Sequence, residues 1–148
     1  MRTIDARTGL ERISRDECIE LLARQEVGRL IVVDGDRALV FPVNYAMDGD
    51  AVVFRTADGI KLSSARHHRV TFEVDKTDRD TRSGWSVVVQ GVAQEVTNFD
   101  AVDVVRRLTE LKVEPWAPGN KPHVIRIVHC RSPGAVCAPR IEGDRSCP

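Results

Sequence analysis

Apolar and polar positions change period several times along this chain, and each change marks a predicted element. Residues 1–13 hold no sustained period and read as an arm. Ser14 and Glu17 form a capping box, with Ile13 and Cys18 at the staple positions. Cys18, Leu21 and Leu22 then line one face, which predicts a helix over about 15–25. From 27 to 33 the residues are branched and the period becomes extended. Asp34-Gly35-Asp36 turns the chain into a second strand over 38–47. Pro42, which has no N–H to donate, predicts an edge or a bulge there. Asp48-Gly49-Asp50 leads into a third strand over 51–56. Connections this short exclude parallel crossovers, so the three strands form an antiparallel meander.

Asp58-Gly59 opens a short helical segment to about residue 66. Val70, Phe72 and Val74 then alternate with Arg69, Thr71, Glu73 and Asp75, a half-buried strand. The polar stretch 76–84 reads as a loop. The longest strand is expected over 85–96, with Gly91 marking a bulge or bend. Its run Val87-Val88-Val89 suggests burial on both faces, as when a second subunit covers the outside. Asn98 caps a second long helix with Asp100 in its first turn and Lys112 near its end; Ala101, Val102, Val105, Leu108 and Leu111 form its stripe. Pro115, Pro118 and Gly119 make a loop around Trp116, residues 124–128 give a sixth strand, and the tail after Ser132 is irregular. Six strands with short hairpins predict a mainly β domain over 14–130, a small antiparallel barrel with two to three peripheral helices. An arm (1–13) precedes it and a tail (131–148) follows. Such a barrel fills its own interior, which leaves a ligand its outside or a seam between two copies.

Composition narrows the class. With 42% hydrophobic and 30% charged residues in 148, the chain is one globular domain. Twenty-two basic residues balance twenty-two acidic ones, which excludes a chain-wide basic surface for nucleic acid. No apolar run reaches the ~18 residues of a bilayer span, and the charged N-terminus lacks a signal-peptide core. A cytoplasmic protein with no membrane or nucleic-acid partner is expected. Cys18, Cys130, Cys137 and Cys147 lack the close pairs of a zinc site, so no metal is expected and the thiols are expected free.

Three stretches could carry chemistry. In Phe54-Arg55-Thr56-Ala57-Asp58-Gly59-Ile60-Lys61, a planar fork of donors, a hydroxyl and a point charge surround a tight turn, a set suited to a phosphate. Arg55 and Lys61 are equally read as solvated surface charges, and Asp58 would repel an anion. In Phe41-Pro42-Val43-Asn44-Tyr45, main-chain groups beside Pro42 without ladder partners could meet the edge of a heteroaromatic ring; an irregular edge strand is the plainer reading. In Ser83-Gly84-Trp85-Ser86, Trp85 is a core anchor or a wall for a ring. No catalytic constellation is visible, so catalytic residues are not assigned. His67 and His68 fall at the exposed end of the short helix.

Together these stretches resemble the pyridoxamine 5'-phosphate oxidase-like flavin split-barrel family, in its small bacterial branch that includes nitroimidazole-resistance-type proteins. The resemblance runs from about Ile13 to Ile127. It is carried by Glu26-Val27-Gly28-Arg29-Leu30, Pro42-Val43-Asn44-Tyr45, Phe54-Arg55-Thr56 with Gly59 and Lys61, Phe72-Glu73-Val74-Asp75, Gly84-Trp85-Ser86-Val87, Gly91 and Pro115-Trp116. It implies a six-stranded antiparallel split β-barrel of Greek-key type and a homodimer with FMN at the interface. Arg55, Thr56 and Lys61, flanked by Phe54 and Leu62, match the phosphate positions. Val43, Asn44 and Tyr45 match the strand along the isoalloxazine, Ser86 a polar cofactor contact, and Trp85 and Trp116 ring-side residues. The C-terminal Arg/His region with which the oxidase proper binds pyridoxal has no match. The implied activity is therefore flavin-dependent oxidoreduction of another small molecule. The alternatives are non-catalytic sequestration of flavin or haem, and reduction with the deazaflavin F420.

Overall fold

A computed structural model of the chain describes residues 3–4, 6–7, 10–96, 102–103, 106 and 118–129. The arm opens with a two-residue pairing of β1 (Thr3–Ile4) and β2 (Glu11–Arg12). Helix α1 (Arg15–Ala23) starts at Ser14, whose hydroxyl accepts the Glu17 N–H at 3.3 Å. Then come β3 (Val27–Asp34), β4 (Arg37–Asp48), β5 (Ala51–Thr56), α2 (Ile60–Ala65), β6 (Arg69–Asp78), β7 (Ser83–Glu95) and β8 (His123–His129).

The last six strands close into a barrel in the order β3-β4-β5-β8-β7-β6. All its pairings are antiparallel. After the β3-β4-β5 meander the chain returns to place β6 beside β3, which is a Greek key. The interior is packed solid by Leu30, Val32, Tyr45, Val52, Phe54, Phe72, Val74, Val87, Val89, Ile125 and Ile127. Helix α1 plugs one end with Cys18 and Leu22, and α2 plugs the other with Leu62 and Ala65. Tyr45 and Phe72 meet edge to face at 4.9 Å between them. Among the described residues no helix is long and apolar enough to cross a membrane.

Several details differ from the sequence reading. The expected loop over 76–84 shrinks to 79–82, because β6 and β7 stay paired out to Asp78 and Ser83. Asp78 closes that turn by accepting the N–H groups of Asp80 and Thr81 at 2.9 and 3.2 Å. Gly91 makes no bulge: the β6–β7 register runs through it unbroken. A Cβ there would stand 2.3 Å from the Val128 carbonyl oxygen, so glycine is required by close approach of β8. Val87 and Val89 face the core, while Val88 is half-buried on the outer face. Cys18 is disulfide-bonded, against the expectation of free thiols, and the other three cysteines lie outside the described residues. Chain spacing carried no sign of this bond, because pairing depends on how closely the Cβ atoms approach in space. The helix expected over 98–112 falls mostly outside the described residues; Val102, Asp103 and Arg106 are helical.

Candidate functional site

The barrel wall is open at one place. All of β4 up to Asn44 pairs with β3, but β4 meets β5 only from Tyr45, opposite Phe54. Beyond Phe54, Arg55 and Thr56 pair with Val124 and His123 of β8. The β4 segment 39–44 thus has a ladder neighbour on one side, and Pro42 sits in this stretch without a bulge. The other side is a row of main-chain donors and acceptors at the rim of the gap. Helix α2 leans across it: the Lys61 ammonium lies 5.5 Å from the centre of the Phe41 ring, a cation–π contact.

Three cations gather beside the gap. The Arg55 Nε donates to the Lys121 carbonyl at 3.2 Å, which fixes the guanidinium plane and brings the loop before β8 alongside β5. Burial lowers the Lys61 pKa, and the nearby charge of Lys121 lowers it further. An anion among these groups would relieve that repulsion. Lys121 had no signal in the sequence, since 65 residues separate it from Thr56 and only the β5–β8 pairing joins them.

The turn between β5 and α2 depends on Gly59, whose φ of 141° lies in a region that other residues rarely adopt. Asp58, the residue that counted against an anion, is engaged. Its carboxylate lies 2.9 Å from His123 Nε2, and the Glu95 carboxylate lies 2.6 Å from His123 Nδ1. Glu95 is also paired with Arg66, beyond the end of α2.

The remaining sequence candidates divide into groups. Val43, Tyr45, Phe54 and Leu62 turn their side chains into the core, so they would meet a ligand through main chain. The buried Tyr45 hydroxyl donates to the Leu22 carbonyl at 2.5 Å. Thr56 is buried as well, and its hydroxyl donates to the Ala57 carbonyl at 3.1 Å, a bond a phosphate would have to replace. Asn44 is half-buried on the rim. Trp85 and Ser86 lie at the other end of the barrel. From Ser86 to Glu95 along β7 is about 30 Å at ~3.3 Å per residue. There Trp85 packs against the core and joins Lys76, Thr77, Asp78, Ser83 and Gly84 in lining a small open cleft. The Ser86 hydroxyl donates to Glu73 at 3.3 Å. Glu73 in turn accepts from Arg29 Nε at 2.8 Å, and Arg29 is also paired with Asp75. Trp116 lies outside the described residues. A single chain therefore brings Arg55, Lys61 and the β4 edge together but leaves Trp85 and Ser86 apart from them.

Comparison with known proteins places this barrel. The family described as pyridoxamine 5'-phosphate oxidase matches residues 14–132. The chain belongs to that family. The uncharacterized protein Rv0080 of Mycobacterium tuberculosis is 32% identical over 142 residues, spanning 92% of this chain and 88% of the relative. Among solved structures, the FAD binding protein from Mycobacterium smegmatis is 30% identical with a TM-score of 0.70, covering 88% of this chain and 98% of that one. A FAD-binding protein from Mesorhizobium loti is 26% identical with a TM-score of 0.66, covering 80% and 91%. The barrel fold of this chain is thus one it shares with these relatives.

Proposed function

We propose that this family member binds a flavin nucleotide and uses it in oxidoreduction of a small molecule. One observation carries the reading: Arg55, Lys61 and Lys121 converge beside an open main-chain edge on a barrel whose interior is full. The cations suit a phosphate, and the β4 edge offers hydrogen bonds to a heteroaromatic ring rim. When bound, the flavin supplies the hydride chemistry, which is why no catalytic triad is needed. The chain's own work is to fix the phosphate at Arg55 and Lys61 and to orient the ring along residues 42–44. FMN meets these needs. FAD is the second reading, favoured by a third cation, Lys121, and by the FAD-binding relatives. Chromatography of flavin released by heat separates the two, and the visible spectrum of the purified protein separates either from haem or F420.

Arg55→Ala should weaken FMN binding by about 1.5–3 kcal/mol, the range for hydrogen bonds to a charged group. Riboflavin, which lacks the phosphate, should lose far less; equal losses would mean that the substitution acts on the fold. We also propose a homodimer that brings Trp85 and Ser86 of one copy to the gap of the other. Val33 and Val40 are 66% and 55% exposed on the outer face, beside half-buried Ile31. A stable dimer would bury more than ~1,200 Å² in total, and a monomer by light scattering at micromolar concentration would defeat the idea.

A further inference from the structure

His123 is held between two carboxylates, one at each ring nitrogen. A neutral imidazole has one N–H, and an ionised carboxylate only accepts. Both contacts are hydrogen bonds only while the ring is an imidazolium. The two partners differ in grip. Glu95 is largely shielded and also bound by Arg66, whereas the Asp58 side chain is 90% exposed. A ring that gives up one proton therefore keeps Glu95 and lets Asp58 go. Asp58 lies between Thr56 and Lys61 in the chain, so a carboxylate released from His123 is left uncompensated on the turn that joins Arg55 to Lys61.

We infer that His123 is a positioning residue for the phosphate turn: as an imidazolium it ties Asp58 to the β7–β8 wall and keeps that carboxylate from opposing an anion at Arg55, Lys61 and Lys121. This rests on the phosphate reading above and deepens it, making anion affinity at the site depend on one proton. The charged groups around the ring are Asp58 from the turn, Glu95 from β7, Arg66 behind Glu95, and the cluster of Arg55, Lys61 and Lys121. The hydrogen bond to Glu95 raises the His123 pKa above its ordinary value, and Asp58 adds to this against the opposing effect of desolvation. Glu95 is correspondingly lowered, first by His123.

The test is the affinity of the full chain for FMN and for riboflavin, read by flavin fluorescence between about pH 6.5 and 9, where a histidine charge is lost. The second ionisation of the phosphate near pH ~6 adds negative charge as pH rises and would strengthen binding at the cations, so it is opposite in sign to the fall. FMN affinity should fall by about two- to fivefold as pH rises, the scale of an exposed ion pair, while riboflavin stays level. Asp58→Asn should remove that fall. Loss of charge from Lys61 at higher pH would persist in Asp58→Asn and is thereby distinguished. His123→Ala should bind FMN weakly at every pH, and adding Asp58→Asn to it should restore affinity. Should His123→Ala fail to fold, the wild-type profile and the NMR titration of His123 still decide. A level FMN profile, an unrescued double variant or a His123 that titrates at or below its ordinary value would each overturn the inference. Failure of the phosphate reading looks different: Arg55→Ala would then weaken FMN and riboflavin alike.

Discussion

The two ends of the barrel are closed by helices, yet by different physics. At the α1 end, Cys18, Leu22 and Tyr45 are buried among apolar neighbours, and within that plug the Tyr45 hydroxyl donates to the Leu22 carbonyl. At the α2 end, Leu62 and Ala65 supply the plug, but around them stand Arg55, Lys61, Lys121, Asp58, Arg66, Glu95 and His123. Apolar burial gives stability roughly in proportion to area and does not discriminate between anions. Partly exposed charges add little stability but can recognise a phosphate. The first end should therefore govern whether the chain folds, and the second what it binds.

The comparison breaks most readily at Leu22. Leu22→Ala should cost about 2–5 kcal/mol of stability in urea unfolding, through lost burial and the cavity left behind. The ratio of FMN to riboflavin affinity should stay as in the wild type; a changed ratio would show that the two ends are coupled. Next is the disulfide at Cys18, whose reduction should cost about 2–4 kcal/mol, read as a lower Tm in reductant. The denatured, unreduced chain should titrate fewer than its four thiols. At the α2 end, Gly59→Ala should cost about 1–3 kcal/mol, because φ at this turn disfavours a side chain. Unlike Leu22→Ala, it should weaken FMN more than riboflavin.

The smallest effect is the pH dependence of stability at the charged end. The pKa of His123 is raised on folding, so its contribution is complete below the ordinary histidine value and is lost as pH rises through the folded one. Glu95 is lowered, so its contribution is present above the ordinary carboxylate range and fades as pH falls through its folded value. Both statements describe one pair and are counted once. Thermal unfolding of the wild type should show a small loss of Tm on the alkaline side that His123→Ala lacks. An identical profile in the variant would mean that this end titrates through other groups.

How much of this was legible beforehand follows the range of each interaction. Strand periods, the Ser14 cap and the turns at Asp34-Gly35 and Asp48-Gly49 are local, so the six strands and α1 could be read from side-chain alternation alone. The motif around Arg55, Thr56 and Lys61 was also visible, since its members lie within one turn of chain. Which of them present side chains outward was not: Thr56 and Tyr45 are buried by neighbours from distant strands and helices. Lys121 and His123 join the site through the β5–β8 ladder, and Glu95 through β7. The Cys18 bond and the position of the gap likewise depend on approach in space. The sequence by itself determined the elements and the resemblance, because those follow from residue order. Only the tertiary structure decided that Asp58 meets His123, that three cations share one corner, and that Trp85 stands at the opposite end. Charge and contact act through space, and the chain order carries no record of distances that folding alone creates.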